Sequence, residues 1–568
     1  MTENPSTPPD NRQKVGETEH GSHLSNPPQE NGEVCALPPL RNESRSAGQQ
    51  IARAASIVMM AYIVSTLVGI VRGTVISHAF GTSMELDAYN AANRVTELLF
   101  NLTAGGALGS AFIPMFTGML TRKDTQGAWK LASGVINALL VILVGVSALM
   151  WVFAPVIVDK ILFALVANAN PGMLDLTVTL LRTMLPTVII FGISGLVMGM
   201  LNAHQVFLWP ALAPAMYSLG QIAGILFLPK SMGVQRLAYG AVIGALGHLA
   251  LQLPTLSRLP NRFYEKAAGI KDEAVRQVLK LMLPRILGAG VVQLNFVANT
   301  IIGLSLGAGA ASSLTWAFTI MLMPQAAIAQ SAGTASLPTL SAQVELGQFD
   351  QFKQTLSGIM RVMLLLALPA TIGLVMLRVP IIRVLYERGS FDASSTQMVA
   401  WALLWYAIGL TGHSLVEVLS RAFYAMHDTR TPVIVGVLAM TANILLSFVF
   451  ARLFGEIGWL PLGGLAFANS LATAVECLAL LQILRKRLKG LDGREIFRVG
   501  LLSLMASFVM GSAIFTFMAF FRDMNKYFVL ILGVAIGLLV YGVMLWVLKV
   551  PEVQSVLGKI KGQLAKKG

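Results

Sequence analysis

From Ile51 onward the chain is written in long apolar runs, each closed by a few Gly, Pro, Asn or charged residues. A helix needs about 20 mostly apolar residues to cross the hydrocarbon core of a bilayer. Fourteen runs reach that length, near 52–80, 88–119, 130–156, 174–202, 209–229, 236–256, 278–306, 312–338, 356–378, 396–425, 432–454, 461–484, 497–521 and 526–549. Their connections are short, so no soluble domain is interposed. The pattern predicts an all-α polytopic membrane protein with about fourteen spans.

The pattern also repeats. "GSAFIPMFT" (109–117) pairs with "GTASLPTLS" (333–341), aligning Pro114 with Pro338 at an offset of 224. "GMLNAHQVFLWPAL" (199–212) pairs with "RAFYAMHDTRTPVI" (421–434), aligning Pro210 with Pro432 at 222. Spans 1–6 and 7–12 are therefore read as two similar six-helix lobes of like orientation, with spans 13–14 added. Lobes of this kind, rocking about a central cavity, are a common transporter plan.

Composition and charge sharpen the picture. Of all residues 55% are hydrophobic and only 12% charged, against about 25% charged in a soluble protein. The net charge of +14 does not point to nucleic acid. The basic residues gather in alternate connections: "TRKD" (121–124), 258–280 and "RKRLKGLDGRE" (485–495). That places both termini in the cytoplasm, with "RVLYERGSF" (383–391) as an exception. Residues 1–48 lack the bulk for a core and lack a signal-peptide layout. They are read as a disordered cytoplasmic tail, His20 and His23 being solvated in it, and the first run as an uncleaved signal-anchor. The expected organisation is then a first lobe at 49–257, a cytoplasmic linker at 258–277, a second lobe at 278–490, spans 13–14 at 491–550 and a basic cytoplasmic tail at 551–568. Cys35 and Cys477 define neither a disulfide framework nor a metal site.

Ionisable groups inside apolar runs are costly and mark function first. Arg72 stands mid-run in span 1. Asp87, Arg94 and Glu97 lie near the start of span 2, where Arg94 and Glu97 share a helix face. Arg285 is early in span 7. Arg72, Arg94 and Arg285 come from both lobes; if they converge, they form an anion site, because guanidinium forks suit phosphate oxygens. Arg182, Arg421 and Glu476 are read as paired internally or snorkelling. Asp87 and Glu97 are expected at the cavity wall; Gln293, Asn295 and Asn299 line the same cavity or serve as interhelical glue. Small residues at 104–112 and 303–313 offer close helix contacts. No catalytic signature appears, so the expectation is a protein that is not an enzyme and needs no cofactor. The single histidines are read as packed or interfacial.

Several stretches resemble the MurJ/MviN family, the lipid II flippases of bacterial cell-wall synthesis, within the multidrug/oligosaccharidyl-lipid/polysaccharide exporter group. In the first lobe these are "GIVRGTVISHAFGTSMELDAYNAANRV" and "AGGALGSAFIPMF". In the second they are "LPRILGAGVVQLNFVANTI", "GTASLPTLS", "LYERGSFDASSTQMVAWALLWYAIGL" and "RAFYAMHDTRTPV". The resemblance implies fourteen helices, a central cationic cavity and a groove at helices 13–14 for a polyprenyl tail. It implies lipid II (the undecaprenyl-diphosphate-linked peptidoglycan precursor) as substrate, with Arg72 at the diphosphate and Asp87 as the family's acidic residue. It further implies residence in the bacterial inner membrane, contact with membrane lipids, and cell-wall synthesis and division proteins as partners. The chain departs from the family pattern at Thr66, Phe100, Phe318 and Thr319, where charged residues are expected. At the family's sodium site it has Asn299 and Ser447, with Asn443 retained. Membrane potential, rather than sodium, is therefore the expected driving force. The alternative readings are a flippase for another polyprenyl-diphosphate glycan, a non-transporting cell-wall scaffold, and a membrane glycosyltransferase using Asp87, for which no large periplasmic loop is present.

Overall fold

A computed structural model describes residues 47–103, 106–167, 169–266, 269, 271–521 and 524–554. The expected tails fall almost wholly outside the described residues. Among those residues there is no strand.

The first lobe begins with α1 (Ala47–Phe80). The second expected span is described as α2 (Met84–Thr103) and α3 (Gly106–Thr121). Next come α4 (Thr125–Ile157), α5 (Pro171–Ala203), α6 (Leu208–Phe227), α7 (Gln235–Ala250) and the short α8 (Leu253–Leu256). The second lobe opens with α9 (Glu273–Ser305). Its second span is α10 (Ala310–Gln325), a π-helical turn (Ala326–Gln330) and α11 (Ser331–Glu345). The lobe closes with α12 (Phe349–Leu385), α13 (Ala393–Ala425), α14 (Arg430–Glu456) and α15 (Leu462–Arg487). Last are α16 (Gly493–Phe520) and α17 (Lys526–Val547).

Local chemistry sets these boundaries. Asp124, Asn170, Asp272, Asp392 and Asn525 each accept a hydrogen bond from the first turn of the helix that follows, satisfying a donor no helix can satisfy itself. Two helix ends then repeat at the offsets read from the sequence. Lys123 (φ 61°) and Gly347 (φ 68°) are left-handed and 224 residues apart. The amides after them donate to Met119 and Gln343 at 3.0 and 2.8 Å. Gln205 (φ 60°) and His427 (φ 59°) are 222 apart, and the next amides donate to Leu201 and Phe423 at 2.9 and 3.0 Å. The duplication is thus present in backbone geometry as well as in sequence.

Eleven described helices are long and apolar enough to cross a membrane. The second, seventh and eighth expected spans are not among them; of the second and seventh only the shorter apolar stretches Ala111–Thr121 and Val292–Ser305 stand out. Exposed Val141, Leu149, Val152 and Phe153 give α4 an apolar outer face suited to lipid. The small stretch 303–313 contributes two close contacts, Gly303 on Ala311 and Gly309 on the Thr82 carbonyl. An equally tight approach lies between α6 and α7, where a side chain on Gly220 would meet the Gly244 backbone at 2.2 Å. Helices α16 and α17 pack on α12: Tyr541 donates to the Leu365 carbonyl at 2.7 Å, and Gly511 seats against Ile372.

Candidate functional site

Helix α10 begins at Gly309, a left-handed residue whose own side chain cannot cap it. The cap comes from the other lobe. Asp87 of α2 accepts from the Gly309 amide at 2.6 Å, the Ser312 amide at 2.7 Å and the Ser312 hydroxyl at 2.5 Å. Asn90 adds a bond to the same hydroxyl at 3.1 Å. The clasp continues along the C-terminal end of α1. The Ser390 amide donates to the His78 carbonyl at 3.0 Å, and the Thr82 and Ser395 hydroxyls meet at 2.8 Å. Gly81 (φ 59°) must be glycine here, since a side chain would lie 2.3 Å from the Ser390 carbonyl oxygen. Asp87, expected at the cavity wall, is instead 1% exposed and serves as this interlobe cap. A carboxylate at a helix N-terminus is favoured by both the free amides and the helix dipole.

Below the clasp lies a cleft of about 290 Å³ between the lobes. α2 contributes Asn90, Asn93, Arg94 and Glu97. Their i, i+3, i+4, i+7 spacing is one face of a helix. α9 contributes Asn295 and Asn299, α10 contributes Thr315, Phe318 and Thr319, and Tyr406 and Asn469 close the far side. Arg94 and Glu97 are its only charged residues among those described; they pair at 2.8 Å, and the guanidinium lies 5.1 Å from the Phe296 ring centre. The cleft is thus balanced in charge.

The candidate residues divide three ways. Arg94, Glu97, Asn295 and Asn299 meet in the cleft. Asn443 and Ser447 join them from behind: Ser447 donates to Asn443 at 3.1 Å and to Asn299 at 3.4 Å, while Asn299 and Asn295 donate to the Asn295 side chain and the Met440 carbonyl. These amides therefore act as interhelical glue as well as cleft wall. Gln293 is not in the wall, and its side-chain oxygen is buried with no partner among the described residues. Arg285 sits on α9, but its side chain lies outside the described residues.

Arg72 stands apart from the wall. It makes no hydrogen bond or ion pair with any described residue, and its Nε is buried without a partner. Its charge acts on Tyr89, Tyr217 and Tyr386. Gln221 donates to the Tyr89 hydroxyl at 3.0 Å, and the neighbouring Gly73 lies against Trp316 and Tyr386. The sequence reading missed these tyrosines, as well as Asn90, Asn93, Tyr406 and Asn469. The polar stripe on α2 was a visible signal for two of them; Tyr406 and Asn469 reach the cleft through topology alone.

The remaining charges are largely structural. Arg182 donates to the Trp151 carbonyl at 3.0 Å and stacks on its ring, and Arg421 pairs with Glu417 at 2.6 Å. Glu476, read as paired or snorkelling, lies against Gly436 with no hydrogen bond or ion pair among the described residues. His248 packs in a buried cluster, 2.6 Å from the Ser194 hydroxyl. At α12, α16 and α17 a second cleft of about 250 Å³ has walls such as Phe515 and Met518, and holds Arg383 and Lys526.

The Lipid II flippase MurJ family model matches residues 76–553. A lipid II flippase MurJ of Burkholderia cenocepacia is 31% identical over 417 residues, covering 72% of this chain and 80% of the relative. A probable lipid II flippase MurJ of Vibrio cholerae is 28% identical over 420 residues, covering 73% and 80%. Among solved structures, a lipid II flippase MurJ in an inward closed conformation superposes with a TM-score of 0.71 at 25% identity, covering 86% of this chain and 97% of that one. An inward-facing multidrug resistance MATE family transporter of the MOP superfamily has a TM-score of 0.63 at 15% identity, covering 77% and 98%, and shares the fold alone. An all-helical fold in two repeated lobes, a cleft between them and a family match over most of the sequence lead to one assignment: the chain belongs to the lipid II flippase MurJ family.

Proposed function

We propose that this protein moves lipid II from the inner to the outer leaflet of the bacterial inner membrane by alternating access, without chemistry on the substrate. The observation that carries this reading is Arg72, a half-buried arginine near the interlobe cleft whose Nε is buried and whose guanidinium has no partner among the described residues. A partly desolvated charge without a partner is costly, and a diphosphate would offset the cost. Both termini are cytoplasmic in this reading, which puts the Asp87 clasp at the outer end. The lobes at 49–257 and 278–490 rock about the linker 258–277, and the clasp must break for outward release. All three Asp87 hydrogen bonds come from the opposite lobe, so it holds the outer end shut until substrate binding favours another state. The neutral network at Asn299, Asn443 and Ser447 offers a cation no carboxylate, which favours membrane potential over sodium as the drive for the empty carrier's return. Moving one charge through the field is worth about 2.3 kcal/mol per 100 mV.

The test is complementation. A host depleted of its own lipid II flippase would receive this chain, wild type or Arg72→Ala, and lipid II on the outer leaflet would be quantified. Rescue by the wild type alone is the expected result. A stable, inserted wild type that gives no rescue would turn the reading toward another polyprenyl-diphosphate glycan, a substrate that the charge-balanced cleft favours as the second reading.

A further inference from the structure

The cleft wall carries hydrogen-bonding groups that the protein does not use. The Asn93 side chain and the Tyr406 hydroxyl face it with no hydrogen bond among the described residues. Asn469 uses its oxygen on His413 at 3.1 Å, which leaves its NH2 group free. Between them run three rings: Phe296 and Phe318 are 5.8 Å apart, and Phe318 and Tyr406 are 5.3 Å apart, each pair edge-to-face. This chemistry is wrong for an anion. The single guanidinium in the wall is already paired with Glu97, and Glu97 itself, 41% exposed, would repel a phosphate. It suits a hydroxylated and N-acetylated sugar. Amides and a phenol offer donors and acceptors together, and aromatic faces lie flat against the C–H face of a pyranose.

We infer that the cleft reads the carbohydrate of the substrate, through Asn93, Asn469 and Tyr406 with Phe318 as a stacking platform, while the diphosphate is held outside the cleft by Arg72. The inference rests on the function proposed above and deepens it. Selection then comes from polar groups that a sugar-free lipid leaves unpaired, a stronger filter than shape alone.

The experiment measures binding of two probes to the full-length protein in nanodiscs. One is a short-chain polyprenyl diphosphate bearing the N-acetylated disaccharide without peptide; the other is the same polyprenyl diphosphate with no sugar. The disaccharide lipid should bind at least about tenfold more tightly, the size of one well-made hydrogen bond to a buried group. Asn93→Leu and Phe318→Ala should erase that difference while leaving sugar-free binding unchanged. Arg72→Gln should weaken both probes alike. The milder Asn93→Ser and Phe318→Leu guard against misfolding, and thermal stability is followed for all. Equal affinity of the two lipids for the wild type overturns the inference, as does an equal loss for both probes in the Asn93 and Phe318 variants. Either result would leave lipid II transport standing if complementation succeeds, so the two readings fail separately.

Discussion

The clasp and the cleft are built by the same two lobes a few helical turns apart, yet their polar groups are treated in opposite ways. At the clasp each oxygen of Asp87 is engaged by α10, and Thr82 meets Ser395 directly. In and beside the cleft the Asn93 side chain, the Tyr406 hydroxyl, the Asn469 NH2 group and Arg72 make no hydrogen bond among the described residues. Polar groups that line a cleft and are not paired by the protein are available to something that arrives from outside. Pairing marks the surface that must hold; its absence marks the surface that must receive.

The sharpest way to break this comparison is to make the clasp permanent. A Thr82→Cys, Ser395→Cys pair replaces two hydroxyls 2.8 Å apart. Oxidation should abolish outer-leaflet delivery of lipid II, and reductant should restore it. Undiminished transport with the disulfide formed would show that this end never opens. A smaller effect is expected from Asp87→Asn, which loses the charge and leaves donors at Gly309 and Ser312 short of acceptors, each costing about 1–3 kcal/mol. A cysteine placed at Thr315 in the cleft should then react faster with an impermeant maleimide added outside. Unchanged labelling would remove Asp87 from the gate.

The smallest effect belongs to a turn far from both. Asp428 lies between α13 and α14; partial burial raises its pKa, but the Thr431 hydroxyl and amide and the Arg487 guanidinium more than offset this and hold it at about 2. Its contribution to stability is therefore present above the ordinary aspartate range near 3.8 and lost as pH falls toward 2. Asp428→Asn should lower thermal stability slightly at neutral pH and flatten its decline between those values, without altering cleft access. A change in cleft access would tie this turn to the gate.

Much of the architecture was legible in sequence because apolar runs and a duplicated turn are strong one-dimensional signals. Gln205 and His427 adopt the same left-handed turn because the same local pattern is written twice. The cleft was harder to read. Asn90, Asn93, Arg94 and Glu97 lower the apolarity of α2, and a π-helical turn cuts α10 to 16 residues, so two of the helices that build the site are less uniform than plain spans. Arg94 and Glu97 were visible as a pair on one face. That Asn469 faces them across the cleft depends on how the lobes meet, which no local pattern encodes. Asp87 was recognisable as a costly charge, but its partner is backbone, and backbone donors leave no trace in the sequence.

The clasp is one-sided with respect to the duplication. Helix α2 starts at Met84 and α10 at Ala310, so Ser83 corresponds to Gly309 and Asp87 to Ser313; the Asp87 amide donates to Ser83 at 3.0 Å as the Ser313 amide does to Gly309 at 2.9 Å. Ser83 caps its own helix, its hydroxyl accepting from the Leu86 amide at 3.3 Å. Gly309 has no side chain to do the same, and one there would strike the Thr82 carbonyl at 2.2 Å. The first lobe caps itself and the second borrows its cap, so α10 keeps a finished N-terminus only while the lobes stay together at this end.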